Sequence, residues 1–249
     1  MAKKNRPPIS STIDCACVIH GDAYDWIYVE RLYNMLKVNS THDIRLHVFT
    51  EPSRTVPAPF VKHELTEWPG IAGPRKSWWY KMQMFDPVHN LGRVLYMDLD
   101  TAITGQIDWI WDHSDQYLWA IKDFKHLWRP MWNGINSSVM IWDTQKFAWI
   151  WDDFCRKNIN ATVKLYHGDQ DYLNSVLDDN NRRFFNSDLI KSWRWQCKDG
   201  GLDMRTRIYR NPNTGTVVDP LTSILIFHGK PKPHELQDPV VDRYWKVKI

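Results

Sequence analysis

Glutamate is scarce in this chain: five residues out of 249, against 24 aspartates. Glutamate fills the exposed faces of helices, whereas aspartate bonds to nearby backbone and favours loops, caps and metal sites. The imbalance points away from long solvated helices and toward a loop-rich α/β chain. Long apolar runs are missing too. None approaches the 18 residues of a membrane-spanning helix, so no integral membrane segment is expected. The opening "MAKKNRPPISST" has no signal-peptide apolar core, which makes the cytoplasm the expected location. The four cysteines, Cys15, Cys17, Cys155 and Cys197, show no zinc spacing. Cys15 and Cys17 alternate on an apolar stretch and read as reduced core thiols. Charge of one sign is also lacking. A net +3 does not by itself imply nucleic acid or acidic lipid, and no nucleic-acid partner is expected.

What is present is a soluble, globular composition, 43% hydrophobic and 24% charged, long enough to bury a sizeable core. Residues 1–249 read as one domain. A flexible tail over 1–12 precedes one half at about 13–105 and a second at about 106–249. "IDCACVIHGD" reads as a first strand ending in polar residues. "YDWIYVERLYNMLKVN" has helical spacing with Ile27, Leu32 and Leu36 as core positions, and "DIRLHVFTEP" alternates as a second strand until Pro52. A β-α-β opening implies a parallel pair joined by a right-handed crossover. A short strand at "FVKHEL" and a helix at "SWWYKMQMF" come next. Strands follow at "RVLYM", "YLWAIKDF" and "SSVMIWD", with helices at "TQKFAWIWDDFCRKN" and "GDQDYLNSVLDD". Residues 182–220 give no clear pattern, and "SILIFHGKPKPHEL" closes the chain as a strand and a proline-broken loop.

The chemistry concentrates in "RVLYMDLDTAITG", residues 93–105, where Asp98 and Asp100 end the most hydrophobic strand nearby. The bare D-x-D pattern carries no weight, because 24 aspartates in 249 positions give roughly two by chance, and Asp169/Asp171 is the second. Context carries it. In a mostly parallel sheet, ligands bind beyond the carboxyl ends of the strands. Two adjacent carboxylates repel unless a cation, a shared proton or basic side chains intervene, and hard oxygen donors suit Mg²⁺ or Mn²⁺. The duller alternative has one aspartate capping a turn while the other pairs with Arg93.

Taken together, "VIHGDAY", "WWYKMQMF", "VLYMDLD", "NGINSSVMIWD", "HGDQDYLN" and "FHGKPKPHE" resemble, in that order, the motifs of GT-A-fold glycosyltransferases of the family 8 type. The resemblance spans most of residues 13–235. It implies a single α/β, Rossmann-like domain with a mostly parallel mixed sheet flanked by helices. It also implies transfer of a hexose from a UDP-sugar to a glycan, lipid or protein acceptor, using Mn²⁺ or Mg²⁺ and retaining anomeric configuration. On the same resemblance, Asp98, Asp100 and His228 hold the metal, and Asp98 also faces the sugar or ribose. His20, Gly21 and Asp22 line the base and ribose while Tyr24 stacks on the uracil; Gly21 stands where the family has an acidic residue. Lys81, 17 residues before Asp98, replaces the family's arginine facing the diphosphate, keeping its charge but losing the bidentate fork. Gly229 permits close backbone approach, and either Lys230 or Lys232 meets the diphosphate. Asn136, Asp169 and Gln170 face the donor sugar.

Each residue also has a plainer reading. Tyr24 can pack at a loop–helix junction, Lys81 can be a solvated charge, Asn136 a turn former, Asp169 an N-cap and His228 a core-edge histidine. His113 has no chemical company and is assigned no role. Were the reaction inverting, Asp171 or Glu235 would be the candidate base. Among the 15 tryptophans, Trp132, Trp193 and Trp195 are candidates for an acceptor platform. The competing readings are a haloacid-dehalogenase-like phosphohydrolase, a sugar nucleotidyltransferase and a non-catalytic sugar-binding module. The phosphohydrolase pattern has Thr or Val where this chain has Ala102. The nucleotidyltransferase needs a Gly-rich basic loop where "HGDAYDW" has one glycine and no Lys or Arg.

Overall fold

A computed structural model describes residues 12–68, 71 and 77–249. The tail expected at 1–12 lies, apart from Thr12, outside the described residues. Strand β1 (Thr12–Val18) crosses through helix α1 (Ile27–Val38) to β2 (Asp43–Thr50), parallel to it as expected. Next come β3 (Val61–Glu64), a 3₁₀-helix at Ser77–Phe85, β4 (Arg93–Met97) and β5 (Thr101–Ile103). The second half holds β6 (Leu118–Lys122), β7 (Ile135–Asp143), α2 (Ala148–Arg156), α3 (Ile159–Leu165) and α4 (Asp169–Val176). Strands β8 (Arg182–Phe184), β9 (Ile190–Ser192) and β10 (Ile224–Ile226) precede the closing helix α5 (Pro239–Trp245).

The main sheet has the order β3-β2-β1-β4-β7-β6-β8, and a small sheet has the order β5-β10-β9. All pairings in the main sheet are parallel except those of β7, which runs against both β4 and β6. Both faces of the central strands are covered, which is why β4 reads as an unbroken apolar run. Its Leu95 and Met97 enter the layer built by α1, α5 and the small sheet, while Val94 and Tyr96 enter the layer of Trp79, Phe85, Trp142 and Phe154. Cys15 and Cys17 share the first layer, Ala16 the second, and both thiols are free. Among the described residues, no helix is long and apolar enough to cross a membrane.

Two expectations are corrected. The buried stripe of α1 is Tyr28, Val29, Leu32, Met35 and Leu36; Ile27 opens the helix 41% exposed, one position off the inward face. The segment "SWWYKMQMF" is helical, but as nine residues of 3₁₀-helix, a long run for that conformation. Trp79–Phe85, including Lys81 and Gln83, is buried throughout, so the stretch has no solvent-exposed face to set an α-helical period.

Candidate active site

The reversal of β7 is what assembles the site. Its register against β4 pairs Met97 with Val139, so the N-terminal end of β7 lies beside the residues that follow β4. The Asp98 amide donates to the Ser138 carbonyl at 2.8 Å. The small sheet brings in the C-terminal segment: β5 pairs antiparallel with β10, and the Phe227 amide donates to the Asp100 carbonyl at 3.1 Å. At the carboxyl ends of β1 and β4, these segments enclose a cavity of about 730 Å³.

On its floor, Lys81 from the 3₁₀-helix is only 5% exposed and sits between two carboxylates. Its ammonium lies 3.0 Å from Asp98 and 3.2 Å from Asp169, at the start of α4. Ser137 on β7 completes the cluster, donating its hydroxyl to Asp169 at 2.7 Å and accepting from Lys81 at 3.2 Å. Tyr96, two residues before Asp98 on the same face of β4, donates its hydroxyl to Asp98. On the other side of the D-x-D pair, Lys232 donates to Asp100, as does the Tyr24 hydroxyl at 3.2 Å.

The charges do not balance. Asp98, Asp100 and Asp169 face two ammonium groups. Burial pushes all three carboxyls upward. At Asp98 the Lys81 charge and hydrogen bonds from Tyr96, Ser138 and Lys81 win, holding the group below its ordinary range. At Asp100 burial wins over Lys232, with repulsion from Asp98 added, and the carboxyl sits above that range. Asp169 is raised likewise, burial outweighing Lys81 and Ser137. Carboxylates crowded in this way favour another positive charge.

The Asp98 and Asp100 oxygens are hard donors that fit Mg²⁺ or Mn²⁺. His228 lines the same cavity, but its Nε2 meets Ser192 Oγ at 2.6 Å, and its ring lies 4.2 Å from that of Trp195. Burial, then the nearby charges of Arg194 and Lys232, push its imidazole down to about 4. Among the described residues, no three His, Cys, Asp or Glu groups already surround a common metal position.

Of the remaining expected residues, His20, Tyr24, Asn136, Gln170 and Gly229 line the cavity. His20 packs at 4.2 Å from the Tyr80 ring. Asn136 accepts from its own turn at the Ser138 amide (3.1 Å), and Gln170 accepts from the Ser137 amide (3.3 Å). Gly229 has φ +76°, a left-handed turn that glycine adopts without strain and that leads the chain on toward Lys232. Gly21 and Asp22 are not in the lining; the Gly21 carbonyl is held by Arg54 at 2.7 Å. Lys232 lines the cavity, whereas Lys230 is exposed and pairs with Glu235 at 3.4 Å. Glu235 is thereby turned away and caps its own 3₁₀ turn, while Asp171 remains in the lining.

Arg93 does not pair with either D-x-D aspartate; it donates to the Trp111 and His113 carbonyls at the far end of β4. His113 itself stacks on Trp119 at 4.1 Å. Trp193 is 2% exposed, with its indole N–H bonded to Thr216 at 2.7 Å, so it is core and no platform. Trp132 donates to Asp123 at 3.0 Å. The sequence reading missed Ser137, Tyr96 and Lys125 in this site. Ser137 was visible between Asn136 and Ser138, and Tyr96 by its two-residue offset from Asp98; Lys125 had no signal.

No protein-family model matches the chain, and no curated protein matches it in sequence. Solved structures do. An active-site mutant of LgtC superposes with a TM-score of 0.64 at 15% identity, covering 93% of each chain. The galactosyltransferase LgtC in complex with donor and acceptor sugar analogs gives 0.62, again at 15% identity and 93% of each. The glycosyltransferase GlyE of Streptococcus pneumoniae gives 0.61 at 13% identity, over 94% of this chain and 60% of that one. The fold is GT-A. In this GT-A chain the cavity lies where open α/β sheets bind their ligands, beyond the strand ends. The plainer reading of Lys81 as a solvated charge is overturned by its burial.

Proposed function

We propose that the chain is a single-domain, metal-dependent glycosyltransferase that moves a hexose from a UDP-sugar to an acceptor hydroxyl with retention. Residues 13–105 would form the nucleotide half and 106–249 the acceptor half. The observation that carries this reading is the convergence of Asp98, Asp100, Asp169, Lys81 and Lys232 on one cavity at the strand ends.

Cleavage of the bond between C1 and the diphosphate oxygen leaves its electron pair on UDP, so the leaving group chiefly needs stabilisation of negative charge. Asp98 and Asp100 would hold a Mn²⁺ or Mg²⁺ ion, with His228 as the third candidate ligand. The ion supplies Lewis-acid stabilisation of the diphosphate. Lys81, locked between two carboxylates, adds a fixed positive charge, and Lys232 adds a second beside Asp100. Tyr24 and His20 would hold the base. Asp169, Gln170 and Asn136 would position the sugar hydroxyls. The acceptor oxygen bonds to C1 from the face the diphosphate leaves, and its proton passes to the departing phosphate oxygen.

A phosphohydrolase with Asp98 as nucleophile is disfavoured, because Asp98 is held by Tyr96 and Lys81 and its charge is stabilised rather than made reactive. The test is calorimetric titration with UDP-hexoses, GDP-mannose and a CMP-sugar, each with Mn²⁺, Mg²⁺ or EDTA. UDP-hexose binding is expected only with a divalent ion. Unchanged UDP affinity in EDTA would refute the metal role, and no UDP binding under any condition would refute the donor.

A further inference from the structure

A second cavity, of about 990 Å³, lies on the far side of a thin partition from the first. The partition is built from both. The Trp195 ring, which lines the second cavity, tilts against that of His228, which lines the first. One short 3₁₀ turn, Phe124–Leu127, places Lys125 in the first cavity and Leu127 in the second.

Its lining combines aromatic rings with guanidinium groups, and the Arg207 guanidinium lies 6.0 Å from the centroid of one of those rings, Trp128. Trp128 and Trp195 meet edge-on at 4.8 Å, and neither indole N–H has a hydrogen-bond acceptor among the described residues. An apolar ring face beside a free donor suits the amphipathic surface of a sugar. Arg205 and Arg210 also line it, and both are exposed. Their backbone amides are bonded, to Asp203 Oδ1 at 2.8 Å and to the Gly201 carbonyl at 3.0 Å. Their guanidinium groups have no ion pair or hydrogen bond among the described residues. The remaining lysine of the lining, Lys191, is occupied by Asp188 at 3.1 Å.

The acidic side chains there are partly spent. Asp203 Oδ1 accepts the amides of Arg205 and Thr206, at 2.8 and 3.2 Å, and these bonds, followed by the charges of Arg210 and Arg205, hold its carboxyl below the ordinary range. Asp219 Oδ1 accepts the Leu221 amide at 2.8 Å. The two guanidinium forks feel the Asp203 charge through space, but neither makes an ion pair or a hydrogen bond among the described residues, and their planar donors match phosphate or carboxylate.

We propose that this second cavity is an acceptor subsite for a saccharide bearing a phosphate or carboxylate, its ring against Trp128 and Trp195 and its anionic group on Arg205 and Arg210. The proposal rests on the glycosyl-transfer reading and adds to it the acceptor's chemical class.

The experiment titrates the full chain with glucose 6-phosphate, glucuronic acid and neutral maltose, followed by ligand-detected NMR, and separately with UDP plus Mn²⁺. At least one acidic sugar is expected to bind tenfold or more tighter than maltose, and which one identifies the anion. The double variant Arg205→Gln/Arg210→Gln, on two exposed side chains, is expected to lose that preference, with an unchanged melting curve as the control for folding. Equal binding of maltose and the acidic sugars, or a preference that survives the double variant, overturns the subsite while UDP binding leaves the donor reading standing. Failure of UDP to bind removes the donor reading and, with it, the acceptor role of this cavity.

Discussion

The ammonium of Lys81 lies 3.0 Å from the carboxylate of Asp98, in a setting where the lysine is 5% exposed. Removing one member of such a buried pair leaves the other charge uncompensated, at a cost of about 3–5 kcal/mol. Lys81→Met is therefore expected to destabilise the fold by roughly that amount. Adding Asp169→Asn should recover part of the loss, since Asp169 shares the same ammonium at 3.2 Å. Urea denaturation of the single and double variants checks this, and an additive double variant would show that the three groups do not act as a unit.

Asp100→Asn should separate chemistry from stability. Burial and repulsion from Asp98 make the Asp100 charge costly to the fold. Its loss is expected to change stability by no more than about 1 kcal/mol. Turnover should fall by about 10²-fold or more, the scale for losing one electrostatic stabiliser. A melting curve beside a UDP-release assay measures both; a variant that keeps full turnover contradicts the site.

A histidine chain crosses the edge of the sheet, through β2 and β3. His47 meets Asp14 at 2.8 Å on one side and His63 at 2.8 Å on the other, and His63 meets His89 at 3.3 Å. Burial, then the neighbouring histidines His47 and His89, push His63 down to about 4. His47 and His89 are lowered as well, chiefly by burial. In the unfolded chain these groups titrate near about 6.5. The unfolded state therefore binds more protons between those values. The contribution is complete above about pH 6.5 and is lost as pH falls toward 4. Unfolding free energy at pH 7, 5.5 and 4.5 should fall in that order, and His63→Gln should flatten the slope.

Leu32 and Ile27 share helix α1 but not its environment: Leu32 is fully buried, whereas Ile27 is 41% exposed. Leu32→Ala is expected to cost about 2–5 kcal/mol. Ile27→Ala should stay within about 0.5 kcal/mol. Denaturation midpoints of the two variants decide it.

The elements that sequence pattern located well were those whose residues carry their own signal. β2 alternates and stops before Pro52, and β4 is apolar because both its faces are covered. Ile27 was misjudged because helical spacing gives a period without fixing which residue starts the inward stripe. Residues 182–220 were unreadable because they contain three-residue strands, a π-helical turn at Trp193–Cys197 and isolated bridges, too short to show any period. In the site, the order of the motifs was legible but their side-chain partners were not. Lys232 lies 132 residues from Asp100 and reaches it only because β10 pairs with β5. The choice between Lys230 and Lys232 turns on the direction the chain takes after Gly229, which spacing does not encode.

The antiparallel course of β7 also determines which end of the molecule is free to be held. Its Asp143 end lies opposite the mouth of the cavity, where Gln145 and Lys146 are exposed and Lys146 reaches Asp115 at 2.7 Å. A fusion partner or solid support joined at that rim would leave the entrance facing outward, so an immobilised form of the chain should keep its cavity open to solution.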